Sequence, residues 1–201
     1  LSLYGMNKGA IGMLTMEKAR EILPRYVTQA HLFSHSLAVS SAMAAMAEHF
    51  GEDPAHWAAV GYLHDVDFEK YPEEHCRHVE ELLAPEGVPD ADIRAIESHG
   101  YGLVCDVKPE TPMEKSLFTV DELTGIIMAT ALMRPTGITD LTPKSVNKKF
   151  KDKAFAAKCS REVIRQGCEM LGMELSEVVA LCIQGMQTVA GELGLGAKQP
   201  E

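Results

Sequence analysis

Six side chains in the first two thirds of the chain have types and spacings that suit a metal ion: His35, His64, Asp65, His75, His99 and Asp121. A polar group on the apolar stripe of a helix is costly to bury unless something satisfies it. The spacing puts His35 on such a stripe, three residues after Leu32 and four before Val39. His64 follows the stripe of Trp57, Val60 and Gly61, and His75 stands four residues before Val79 and seven before Leu82. His99 lies three residues after Ile96 and six after Ile93. Asp121 falls in mid-helix, between Leu117 four residues before and Gly125, Met128 and Leu132 after it. A lone histidine on a stripe is more often a hydrogen-bonded core residue than a ligand. Five stripe positions on five expected helices, with Asp65 beside one of them, are a different matter. A divalent ion reconciles these imidazoles with two carboxylates in one step.

The chemistry such a site supports follows from its donors. Mixed imidazole and carboxylate ligation suits Mn, Fe, Co, Ni, Zn or Mg, with positions left open for water and a phosphoryl oxygen. A bound ion lowers the pKa of its water, and a second ion clamps attacking and leaving oxygens. Asp65 is a candidate catalytic carboxylate as well as a ligand. Asp67 is a candidate proton donor or an orienter of a ligand, against the blander reading of a surface carboxylate at a helix end. Lys115, six residues before Asp121, and the pair Lys148 and Lys149 are candidate phosphate contacts, against the default of solvated lysines. His31 is an alternate ligand or an outer partner one turn before His35, whereas His49, His56 and His78 are expected to face solvent. Cys76 and Cys105 flank the region without an obvious activating partner.

The elements that must position these groups are helical nearly throughout. Thr15 opens a short helix that ends at Pro24, and a long one covers about 27–50. Asp53 caps the next, with Pro54 at its first position, and that helix runs to about 65. Further helices are expected from Pro72 to Leu83, from Pro89-Asp90 to about 98, and over about 113–133, with a loop over 100–112. Helices near 143–157 and 160–171, and one from Ser176 to about Leu193, complete an all-α, single-domain helical bundle. Residues 1–12 read as an irregular extension, and 13–201 as the domain, with its metal-site core over about 27–135 and its C-terminal helices over 143–195.

Composition narrows the partners. The 201 residues carry a formal charge of −10, yet residues 143–166 hold eight basic side chains against Asp152 and Glu162, a local excess of +6. The remainder is strongly acidic, which argues against a nucleic-acid polymer as partner but leaves a small phosphorylated substrate open. No apolar run is long enough to span a bilayer, and no secretory leader is evident. The five cysteines show no CxxC spacing and read as thiols of a reducing cytoplasm. Oligomeric state is not legible.

His35 in FSHSLAV, His64-Asp65 in GYLHDVD and Asp121 in FTVDELTG resemble, in order and helix placement, the H…HD…D pattern of the HD-domain superfamily of metal-dependent phosphohydrolases. The similarity covers roughly residues 14–135, and the later helices resemble those of bacterial members without an assigned substrate. The resemblance implies that His35, His64, Asp65 and Asp121 bind one divalent ion. It also implies that His75 and His99 stand where two-metal members hold a second ion, with Asp65 bridging. Two subfamilies fit less well. The run His99-Gly100-Tyr101-Gly102 lacks the second histidine and the proline of cyclic-dinucleotide hydrolases. The stretch from His64 to Glu69 lacks the Glu-Asp pair of guanosine tetraphosphate hydrolases at its usual offset. The expected activity is hydrolysis of a phosphomonoester or phosphodiester in a small metabolite such as a nucleotide. Alternatives are a non-catalytic metal- or ligand-binding regulatory module and a two-iron oxygenase on the same scaffold.

Overall fold

Helix ends in this chain are written in local chemistry, and the computed structural model, which describes residues 12–199, follows most of those signals. Thr15 accepts a hydrogen bond from the Lys18 amide and starts α1 (Met16–Ile22), and Pro24 lies in the 3-10 turn after it. The long α2 (Ala30–Phe50) ends at Gly51, whose φ of 69° is the left-handed conformation that glycine adopts without strain. Asp53 caps α3 (Pro54–Leu63) by accepting from the amides of Ala55 and His56. After the short α4 (Val79–Leu83) comes α5 (Asp90–Ser98). A full capping box then opens α6 (Pro112–Leu132): Thr111 accepts from the Glu114 amide, and Glu114 accepts from the Thr111 amide. The chain closes with α7 (Pro143–Lys151), α8 (Arg161–Leu171) and α9 (Leu175–Gln187). The described residues contain no strand, only an isolated bridge between Tyr101 and Cys105.

One continuous apolar core draws buried side chains from all nine α-helices of the described residues, from Ala19 in α1 to Met186 in α9. Helix α2 lies at its centre and packs on α3, α6 and α9. Two glycines allow the close approaches. A Cβ on Gly61 would stand 3.0 Å from the Met43 side chain and 3.2 Å from the Ser40 backbone, so α3 lies almost on α2. A Cβ on Gly185 would stand 2.2 Å from the Ser41 carbonyl oxygen, so α9 crosses α2 with no room for a side chain.

Four helix boundaries depart from the sequence expectation. Helix α2 starts at Ala30 rather than near 27, with Gln29 still extended. The helix expected from Pro72 to Leu83 is broken: Pro72–Glu74 form a 3-10 turn, His75 is extended, and Cys76 takes a φ of 70°. The buried Asp67 carboxylate accounts for the break, because it accepts from the His75 ring and from the His78 backbone amide. Helix α7 stops at Lys151, not near 157, because the Arg161 guanidinium donates to the carbonyls of Phe150, Asp152, Ala156 and Cys159 and holds 152–160 as a loop. Helix α9 stops at Gln187, where the side-chain amide donates to the Ile138 carbonyl and the chain turns back alongside Pro135–Ile138. The extension expected over residues 1–12 lies, but for Gly12, outside the described residues.

Candidate metal centre

The six donors arrive from four helices and one loop. His35 projects from the second turn of α2, and Asp121 from the middle of α6. His64 is the residue at which α3 ends, Asp65 follows it, and His99 is the corresponding end residue of α5. His75 does not sit on a helix, contrary to the stripe expectation, but on the extended segment after the 3-10 turn.

Asp65 organises the arrangement. Its Oδ2 lies 3.4 Å from His35 Nε2 and 3.3 Å from His64 Nε2. Its Oδ1 lies 3.1 Å from His75 Nε2 and 3.4 Å from His99 Nε2. One carboxylate therefore divides its oxygens between two pairs of imidazoles. Asp121 joins the first pair, with Oδ1 2.9 Å from His35 Nε2 and 3.1 Å from His64 Nε2. The donor atoms of His35, His64, Asp65 and Asp121 all lie within 4.8 Å of one another. His75, His99 and, unexpectedly, Cys76 form a second such group.

The outer nitrogens of these rings are committed. His64 Nδ1 donates to the Gly61 carbonyl at 2.7 Å, His99 Nδ1 to the Ile96 carbonyl, and His75 Nδ1 to Asp67 at 2.7 Å. That pattern fixes the tautomers with Nε2 lone pairs facing inward. The lone pairs of His75 and His99 then confront one another at 3.0 Å, and the Nε2 atoms of His35 and His64 lie 3.1 Å apart. Inward-facing nitrogens at these distances, beside shared carboxylate oxygens, form donor sets that fit divalent ions on both sides of Asp65.

The carboxylates make these imidazoles strongly basic, as suits the donors of a cation site. Burial works against the charged form of His64, but the Asp65 and Asp121 carboxylates raise its pKa to about 9. Burial likewise opposes charge on His75, yet hydrogen bonds to Asp65 and Asp67 lift it to about 11. Burial disfavours charge on Asp65 and Asp121 too, and the surrounding imidazoles nonetheless hold both carboxyls below the ordinary range. Access is one-sided. His64 and His99 are buried, while the side chains of His35 and Asp121 are 27% and 18% exposed and mark the open face. Phe68 is exposed at the rim, edge-on to the His75 ring at 5.3 Å.

Asp67 is not a surface carboxylate: it is fully buried and accepts from the His75 ring and the His78 amide, the position of an orienter of a ligand. The other expected participants make no such contact. Lys115, Lys148 and Lys149 make no hydrogen bond or ion pair to the six donors among the described residues. Lys148 lines a groove of about 590 Å³ with Lys144, Lys151 and Ser176, and the Lys149 ammonium sits 4.8 Å over the Phe155 ring. His31 and His49 are exposed, as the sequence suggests for His49. His56 and His78 are not free in solvent: His56 pairs with the buried Asp92 at 2.7 Å, and His78 stacks on Tyr71 and bonds Glu74 and Glu81.

Sequence reasoning set Cys76 beside the site without an activating partner, and the structure supplies one. Its Sγ is buried, 3.7 Å from His99 Nε2, and although burial raises a thiol, the His99 and His75 imidazoles bring it down to about 7. The one available signal was adjacency, since Cys76 follows a candidate ligand directly. Sequence reasoning missed Glu122, which stands beside Asp121 on α6 and accepts from the Ser160 amide at 2.7 Å. Burial and the Asp121 charge push its carboxyl up. That bond ties the loop after α7 to the helix bearing Asp121.

No curated protein and no solved structure matches the chain. The family model of the HD domain matches residues 32–124, a span that begins just before His35 and ends just after Asp121 and so encloses all six donors. Residues 32–124 of this chain therefore match an HD domain, consistent with the HD-domain superfamily, whose members are mostly metal-dependent hydrolases.

Proposed function

We propose that this protein is a metal-dependent phosphohydrolase of a small phosphorylated metabolite, with nucleotides the first substrate class to test. The observation that carries the reading is Asp65, whose two oxygens face the His35–His64 pair and the His75–His99 pair separately. Held by His35, His64, Asp65, Asp121, His75 and His99, divalent ions would supply a water of lowered pKa and neutralise charge developing on a phosphoryl group. The chain's own residues do the rest. His64 and His99 are locked by backbone carbonyls, so the centre is rigid before substrate arrives. His35 and Asp121 border the open face, and Phe68 at the rim offers an apolar surface beside it. A small anion fits this reading better than a nucleic-acid polymer, given the formal charge of −10. Five free thiols support a reducing, cytoplasmic setting.

The test is elemental analysis of purified protein, followed by phosphate release from a panel of nucleotides and sugar phosphates. The expected result is bound divalent metal and turnover of at least one substrate class, both lost in Asp65→Ala. A protein that keeps full activity after its metal is stripped would overturn the proposal. A second reading, a two-iron oxygenase, draws on the same two-sided donor set. Two irons per chain with oxygen uptake, and no phosphate release, would favour it. Tight retention of a nucleotide without turnover would favour a regulatory module instead.

A further inference from the structure

Cys76 is an odd residue to find where it is. It is one of two non-glycine residues with positive φ among those described, at 70°, a conformation that costs most side chains about 1 kcal/mol or more. That backbone turn directs the thiol inward. The side chain is buried against Gly100, where a Cβ would stand 2.8 Å from the sulfur and 2.4 Å from Val104. A cysteine kept only as a small apolar side chain has no need of histidine neighbours. Here the sulfur lies 3.7 and 3.8 Å from the two His99 nitrogens, and its donor atom is within 4.8 Å of those of both His75 and His99.

The distances have the size of a coordination polyhedron. With metal–nitrogen bonds near 2.0–2.1 Å and a metal–sulfur bond near 2.3 Å, tetrahedral donors lie roughly 3.3–3.6 Å apart. His75 Nε2 to His99 Nε2 is 3.0 Å, Asp65 Oδ1 to the same two nitrogens is 3.1 and 3.4 Å, and sulfur to His99 is 3.7 Å. On these grounds we propose that Cys76 supplies a thiolate ligand to the ion between His75 and His99. The inference rests on the metal reading above and adds to it a chemical difference between the two halves. The His35 side offers two imidazoles and two carboxylates. The His75 side offers two imidazoles, one shared carboxylate and one sulfur, which selects zinc, iron or cobalt over magnesium or manganese. On binding, the thiol proton passes to solvent and the sulfur–metal bond forms; nothing is oxidised or reduced.

Cobalt(II) titration of the whole, metal-stripped protein tests this, with visible and near-ultraviolet spectra recorded at each addition. The expected result is two bound cobalt ions and a sulfur-to-cobalt charge-transfer band that grows with one of them. The band should vanish in Cys76→Ser and persist in Cys105→Ser. X-ray absorption on the zinc-loaded wild-type protein needs no variant and should show a sulfur at about 2.3 Å from part of the metal. Two cobalt ions without the band, or a zinc spectrum without sulfur, would overturn the thiolate assignment and leave the metal reading standing. A protein that binds no cobalt would overturn both.

Discussion

Replacing Asp67 by asparagine perturbs the centre without touching any atom that faces an ion. The residue is fully buried, its Oδ1 accepts from His75 Nδ1 at 2.7 Å, and its Oδ2 accepts from the His78 amide at 3.3 Å. Asparagine has nearly the same shape but one acceptor and one donor group. If its oxygen faces His75, its amide hydrogens face the His78 N–H, donor against donor. If it flips, its amide faces His75 Nδ1 and forces the ring into the tautomer that carries hydrogen on Nε2. That tautomer has no lone pair to offer beside Asp65. In either orientation the charge that favours a basic imidazole is gone. Loss of such an outer partner typically weakens metal binding by about 10- to 100-fold, or about 1.4 to 2.8 kcal/mol. The loss should be confined to the ion on the His75–His99 side, because none of the hydrogen bonds of His35, His64 or Asp121 involves Asp67. Competition titration against a calibrated chelator, resolved into two affinities, measures it. Equal weakening of both ions, or no weakening of either, would refute the idea that Asp67 acts through His75.

Two further predictions concern the scaffold. The Asp92 hydrogen bond raises the His56 pKa above 6.5, with burial opposing and the charges of Asp92, Asp53 and Glu52 assisting. A raised folded-state pKa stabilises the fold fully below the unfolded value, and that gain is lost as pH rises through the folded value. His56→Gln should therefore cost about 1.5–3 kcal/mol at pH values below about 6.5 and less in alkaline solution; urea unfolding at both ends checks it, and a pH-independent difference would count against the pair. Gly185→Ala should destabilise by about 1–3 kcal/mol through overpacking on Ser41, whereas Gly191→Ala, with open space around it, should be near neutral in the same thermal melts. Equal effects at the two sites would contradict the close crossing of α9 on α2.

How much was legible depends on what each feature leaves in the residue types. Thr15 and Asp53-Pro54 announce helix starts because capping needs those side chains, and the structure uses both of them. His35 and Asp121 were readable because a polar residue on a helical stripe breaks a visible period. His75 was misread as helical because its segment copies that period, while a tertiary contact, the buried Asp67 carboxylate, overrides it. Nothing in the local sequence around Asp67 separates a buried carboxylate from a solvated one. The same limit applies to Asp92, whose partner His56 lies 36 residues away. The lysines illustrate another limit: a basic run fixes charge along the chain, but the direction its side chains take depends on where α7 docks.

The donors that converge on Asp65 also have a topological meaning. His35 and Asp121 are 86 positions apart in the chain, and His64, His75 and His99 fall between them. An ion held by this set ties α2, α3, α5 and α6 into closed loops, as a covalent cross-link would. Closing a loop of that length takes about 4–5 kcal/mol of chain entropy from the unfolded ensemble in the cross-link picture. The C-terminal helices lie outside those loops and owe their place to apolar packing on α2 and α6. A metal bound here would thus fasten one part of the chain as well as serve chemistry, and its removal would loosen the N-terminal two thirds while sparing the interface that α9 makes with α2.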